Sequence, residues 1–146
     1  MRIRILAVGP RQPAWVNDAF LDYAKRLKSA LPVELIELPT SSRAAEARRI
    51  VAALPGRGYH VALDERGRSL STMALSRWLQ TRRAAGTDLS LVIGGPDGIA
   101  PEVVRHCSET LSLSALTLPH GLARVLLVEQ LYRAYSIIIG HPYHRP

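Results

Sequence analysis

Five residues, Gly94-Gly95-Pro96-Asp97-Gly98, break the apolar run Leu89 to Ile93 abruptly, and their types suit the binding of a ligand by main chain. Glycine lacks the Cβ that would hold a ligand away from backbone N–H and C=O groups, and it admits positive φ. The same residues equally suit a structural turn. No Gly-Lys-Ser/Thr follows, so the turn is not a P-loop, and Ile93 stands where a dinucleotide fingerprint needs its first glycine. Downstream, Ser112, Ser114 and His120 raise the idea of nucleophilic hydrolysis, but no nucleophile elbow surrounds either serine. His106, His120, His141 and His144 raise metal binding; a His-Pro-x-His tail without carboxylates is more often a polar loop, and no metal is expected. Arg124 and Arg133 read as solvated charges, although their helix is apolar over much of its circumference.

These residues need a scaffold, and the hydrophobic pattern supplies one. Arg2 to Val8, Val33 to Leu38, Tyr59 to Leu63, the Leu89 run and Leu111 to Leu118 read as five strands. Between them, Pro13 to Ala30, Arg43 to Leu54, Ser71 or Thr72 to about Arg83, and Pro101 to Thr110 read as helices; Gly121 to about Ile138 is the last. Asp64-Glu-Arg-Gly67 is expected to stop the third strand. Strand and helix in alternation predict an α/β fold, a mostly parallel sheet with helices on both faces. Ligands in such folds lie beyond the carboxyl ends of the strands, where Leu63, Gly94-Gly95 and Leu118-Pro119 all fall. The last helix is apolar over much of its circumference, which predicts burial, partly against a second subunit. The tail from Gly140 carries too little apolar surface to serve the core, so removal of Tyr143 to Pro146 is expected to spare stability.

With 146 residues the chain fits a single domain, 1–146, that buries most of its unfolded surface. A lone cysteine, Cys107, and the absence of an apolar membrane-length run point to a reducing, cytoplasmic setting without a membrane. Nineteen basic residues against twelve acidic ones leave a net charge of +7, and the basic residues are overwhelmingly arginine. That composition suits phosphate contacts and a polyanionic partner, most simply RNA. With one Phe and no RNP-like aromatic run, a stacking-platform RNA module is not expected.

Leu91-Val-Ile-Gly-Gly-Pro-Asp-Gly98, Leu113-Ser-Ala-Leu-Thr-Leu-Pro-His120, Arg124-Val-Leu-Leu-Val-Glu-Gln-Leu-Tyr-Arg-Ala-Tyr135 and His141-Pro-Tyr-His-Arg145 follow one another in that order. Leu6-Ala-Val-Gly9 and Leu35-Ile-Glu37 match as well, and together these motifs resemble the ribosomal RNA large subunit methyltransferase H family over essentially the whole chain. The resemblance implies a SPOUT-class α/β fold whose C-terminal part forms a trefoil knot, a homodimer, and a partner in 23S ribosomal RNA within the ribosome. It implies S-adenosylmethionine as methyl donor, held by Leu63, Gly95, Ser114, Ala115, Leu116, Thr117, Leu118 and Pro119. A branched side chain at Gly95 is then expected to block the donor. Asp97, where many relatives are expected to carry glutamate, is a conservative departure.

The reaction that the resemblance implies is methylation of N3 of a pseudouridine, in which an imide nitrogen loses its proton as it attacks a sulfonium methyl. Alignment and a base then matter more than a covalent nucleophile. His144 or His120 is expected to remove the proton, with Arg124 and Arg145 stabilising developing oxygen charge and Tyr143 available to stack on the base. A methyltransferase for another RNA, or a ribosome-binding factor without catalysis, remains the alternative.

Overall fold

Five parallel strands form one sheet in the order β2-β1-β4-β3-β5 in the computed structural model, which describes residues 1–145. The strands are β1 (Ile3–Val8), β2 (Val33–Leu38), β3 (Tyr59–Ser69), β4 (Leu89–Ile93) and β5 (Glu109–Ser112). The helices are α1 (Ala14–Leu27), α2 (Arg43–Ala53), α3 (Thr72–Ala85), α4 (Pro101–Arg105) and α5 (His120–Ile138). β4 enters between β1 and β3, so it is paired on both edges and every one of its residues is buried. Strand alternation divides the apolar residues between two layers. Ile3, Ile5, Leu89, Leu91 and Val61 pack under α1, α3 and α5, whereas Leu6, Val8, Ala62 and Val92 pack under α2 and α4. The helices thus lie on both faces, as the alternation predicted.

Local signals account for the helix starts. Ser42 Oγ accepts from Ala45 N, and Ser71 Oγ from Ala74 N, each satisfying an orphan donor of a first turn. Gly86, at φ +72°, closes α3 in the left-handed conformation.

Three boundaries differ from expectation. Asp64-Glu-Arg-Gly67 does not end β3: those residues bulge out, so that Leu63 and Arg68 both face Leu111, and pairing then resumes. Gly67 makes this possible, because a Cβ there would lie 2.8 Å from the backbone of Thr110 and of Leu111. The helix from Pro101 stops at Arg105 rather than Thr110, since Ser108 N already donates to His60 O beside β3. β5 accordingly starts at Glu109, whose carboxylate accepts from Tyr59 Oη, Trp78 Nε1 and Arg68 Nη2. It ends at Ser112, and residues 113 to 118 leave the sheet.

The apolar circumference of α5 has a cause within the chain. α5 lies between α1 and α3 on one face of the sheet, and Ala123, Leu127, Val128, Leu131 and Ala134 are all buried there. Trp15, Leu21, Leu122 and Ile139 remain exposed on or beside α1 and α5.

Arg124 lies in the first turns of α5 with none of its surface exposed. Nη1 donates to Glu37 Oε2 at 2.7 Å and Nη2 to the Gly9 carbonyl at 2.5 Å, so one guanidinium ties α5 to the ends of β2 and β1. Gly9 aims that carbonyl with φ +111°, a conformation L side chains rarely adopt. Replacing the guanidinium by an apolar side chain of similar length leaves the carbonyl without its charged donor. Arg124→Met should therefore lower the unfolding free energy by about 2–4 kcal/mol in urea titrations.

Candidate functional site

A cleft of about 710 Å³ opens at the carboxyl ends of β3 and β4, as expected for an open parallel sheet. Its walls are the β3 bulge, the glycine turn after β4, and the segment leading from β5 into α5. The turn is closed by Gly98 N donating to Gly95 O at 2.9 Å, with Gly98 at φ +80°. In the last wall, Ser112 Oγ donates to Ser114 O and Leu116 N to Ser114 Oγ, which holds 112–116 in a tight non-sheet loop. Thr117 Oγ1 donates to Glu65 Oε2 at 3.2 Å, joining that loop to the bulge. The leucines expected to continue β5 serve the cleft instead: Leu113, Leu116 and Leu118 line it, and Leu116 is 74% exposed.

Gly94 and Gly95 are both tightly packed, for reasons other than direct ligand approach. A Cβ on Gly94 would lie 2.7 Å from Ile99 Cγ1, inside the turn itself. A Cβ on Gly95 would lie 2.6 Å from Glu46 Oε1, so a branched residue there strikes a buried carboxylate beneath the cleft before it meets any ligand. Glu46 gave no functional signal in the sequence, where it reads as a first-turn residue of a helix 49 positions away.

The cleft's charge opposes that of the whole chain. Asp64, Glu65 and Asp97 line it against a single arginine, Arg66, in a protein of net charge +7. Arg66 is engaged by Asp64, whose carboxyl it holds below the usual range through a side-chain hydrogen bond. None of these acidic residues stood out in the sequence, because solvated loops carry the same types.

The expected site residues separate into two groups. Leu63, Gly95, Ser114, Leu116, Thr117, Leu118, Pro119 and His120 line the cleft together, with Ala115 exposed in the same loop. Arg124 does not line it; burial and its two partners withhold the guanidinium from any oxyanion in the cleft. The tail lies elsewhere. Tyr143 Oη donates to Glu129 Oε1 at 3.1 Å and contacts Tyr23 Oη at 3.4 Å, and its ring stands edge-on to Tyr132 at 4.7 Å. Arg133 Nη1 lies 3.3 Å from His144 Nδ1, and its guanidinium covers the Tyr143 ring. Arg145 is exposed. Along α5, Arg133 lies thirteen positions from His120, roughly 20 Å at the helical rise.

Tyr143 therefore does serve the packing, contrary to expectation, because α1 and α5 leave a groove that a single aromatic ring fills. Deleting residues 143–146 should lower the unfolding free energy by about 1–2 kcal/mol, read by chemical denaturation, instead of sparing it.

His120 opens α5 at the cleft edge, half-buried. Burial pushes its pKa below the ordinary 6.5, Arg124 pushes it the same way, and Glu46 opposes. The folded chain thus takes up a proton at His120 less readily than the unfolded one. Stability from this group is complete above about pH 6.5 and is lost as pH falls below it. His120→Asn should accordingly lose less unfolding free energy than wild type between pH 7 and 5, and the His120 ring resonances should titrate below 6.5 by NMR.

The chain matches the family model described as "Predicted SPOUT methyltransferase" over residues 1–144. It is 50% identical to the ribosomal RNA large subunit methyltransferase H of Bordetella petrii, with 99% of each chain covered. The protein of the same name from Laribacter hongkongensis is also 50% identical, again over 99% of each chain. Among solved structures, a probable methylase family protein from Haemophilus influenzae Rd KW20 superposes with a TM-score of 0.56 at 12% identity, covering 97% of this chain and 67% of that one.

Proposed function

The chain belongs to the SPOUT methyltransferase family, and from that premise we propose that it methylates N3 of a pseudouridine in 23S ribosomal RNA within the assembled ribosome, in the cytoplasm, with S-adenosylmethionine as donor. One observation carries the reading beyond the family itself: a cleft floored by glycine and lined by carboxylates, in a chain whose remaining surface is strongly basic. The cleft rejects phosphate and suits a cation, whereas Arg43, Arg48, Arg49, Arg57 and Arg77 are exposed for a polyanion.

The cleft also fits the donor in size and lining. Leu63, Leu116 and Leu118 offer apolar walls, and Gly95, Ser114, Ala115, Thr117 and Pro119 offer main-chain groups for an adenine edge. When bound, S-adenosylmethionine supplies a methyl group on a positively charged sulfur, open to in-line attack. His120 is kept neutral by burial and by Arg124, and so accepts the imide proton at a ring nitrogen at ordinary pH. Arg124 acts as a positioning residue, holding the start of α5, and hence His120, against the ends of β1 and β2.

His144 and Arg145 reach a reacting base only from a second copy, because α5 separates the tail from the cleft of its own chain. The active unit in this reading is a homodimer in which one tail completes the other subunit's cleft, with Trp15, Leu21 and Leu122 among the apolar side chains available for cover. Tyr143 holds the tail in its groove, which leaves His144 and Arg145 as the tail's contribution to the RNA site.

Ribosomes incubated with protein and donor should gain one methyl group on a 23S pseudouridine, located by mass mapping of nuclease fragments. Methylation of another RNA, or donor binding without transfer, would refute the assignment. Mixing separates the composite site from a cis arrangement. A Gly95→Val chain and a chain carrying His144→Ala with Arg145→Ala should each be inactive, while dimers reassembled from both recover about a quarter of wild-type turnover, one sound site in every second dimer. No recovery would place the tail outside the partner's site.

A further inference from the structure

Glu46 lies on α2, beneath the glycine turn, with 3% of its surface exposed. Its Oε2 accepts from Ser41 N at 2.8 Å, and among the described residues no lysine or arginine forms an ion pair with it. A buried carboxylate without a counter-charge is unfavourable, and natural structures supply one. The nearby cation that could serve, an imidazolium at His120, is opposed by burial and by the Arg124 charge. The remaining direction is the cleft itself. Glu46 Oε1 lies 2.6 Å from where a Cβ on Gly95 would stand, so this carboxylate packs against a residue that itself lines the cleft.

We propose that Glu46 makes the cleft prefer the cationic methyl donor to the neutral thioether that remains after transfer. The inference rests on the donor reading above and deepens it. Methyl transfer moves the methyl from sulfur to nitrogen and leaves the S–C bonding pair on sulfur, so the ligand changes from sulfonium to uncharged thioether while the imide proton passes to a base. Glu46 attracts the first form and is indifferent to the second. Its pull is therefore lost at the moment of transfer, which favours exchange of spent product for fresh donor.

Calorimetry on the full chain tests this with three probes: S-adenosylmethionine, S-adenosylhomocysteine, and sinefungin, which carries an amine in place of the sulfonium. Glu46→Gln keeps an oxygen for Ser41 N and removes the charge. The variant should bind S-adenosylmethionine on the order of tenfold more weakly, as for unit charges several ångströms apart in a partly wet site, and bind S-adenosylhomocysteine as wild type does. Equal weakening toward both ligands would make Glu46 a purely structural residue and overturn the proposal, as would unchanged affinity toward both. Should the variant not fold, Glu46→Asp, which keeps the charge, must retain the preference for both cationic ligands over S-adenosylhomocysteine, and loss of that preference in a folded Glu46→Asp chain, or the reverse order in wild type, refutes the role of Glu46. A wild-type chain that binds none of the three fails the donor reading itself, a result distinct from loss of the preference.

Discussion

The guanidinium of Arg124 is the contact on which the site depends. A fully buried charge is tolerated only with tight partners, and here the partners are the Glu37 carboxylate and the Gly9 carbonyl, at the ends of β2 and β1. Their separation and direction leave the start of α5 one position on the sheet. Close packing of Gly121 reinforces it, since a Cβ there would lie 2.6 Å from Gln12 Oε1 and 2.9 Å from Val16 Cγ2. His120, one residue earlier, inherits that precision. Burial first, and then the same guanidinium, disfavour protonation of His120, so the buried charge that places the imidazole also adds to the bias toward its neutral form.

Charge is partitioned over this scaffold in a way that composition conceals. A net +7 suggests a uniformly basic protein, yet the cleft is lined by Asp64, Glu65 and Asp97 with Glu46 beneath. Such a division suits a protein that must hold a small cation and a large polyanion at once. In the proposed reading, acidic walls keep RNA phosphates out of the cleft, and exposed arginines on α2 and α3 hold them outside it. The glycine turn lets this division work at short range, because any side chain at position 95 would displace the buried carboxylate.

Elements with a clear local signal were legible in the sequence: β1, β2 and β4 from their apolar runs and α2 from its N-cap lie within a residue of expectation, and the glycine turn, residues 113–119 and His120 do meet at one cleft. What was not legible depends on partners far along the chain. Asp64-Glu-Arg-Gly67 reads as a strand end from its polarity, and becomes a bulge only because Gly67 packs on Thr110 and Leu111. Leu113, Leu116 and Leu118 alternate as a strand would, and nothing local says that they face a cleft. Glu46 and Gly95 meet across 49 positions, and Arg124 and Gly9 across 115. Tyr143 in a tail without periodicity gave no sign of the aromatic groove that receives it. The trefoil knot of the SPOUT fold follows from family membership and has no hydrophobic period of its own.

The length of α5 also limits how the tail can act. α5 carries the cleft at its first residue and the tail beyond its last, and a helix of 19 residues does not shorten. The tail is not a loose end that might fold back, because Tyr143 is held by Tyr23, Glu129, Tyr132 and Arg133. Held in this way, half-buried His144, beside Arg133, and exposed Arg145 stay at the α1–α5 groove, away from their own cleft. Presenting them to another subunit costs little additional ordering, since the ordering has already been met by the packing of one tyrosine. In the proposed homodimer, the Tyr143 groove, although remote from the cleft, is the feature that would make a composite site between two copies economical in entropy.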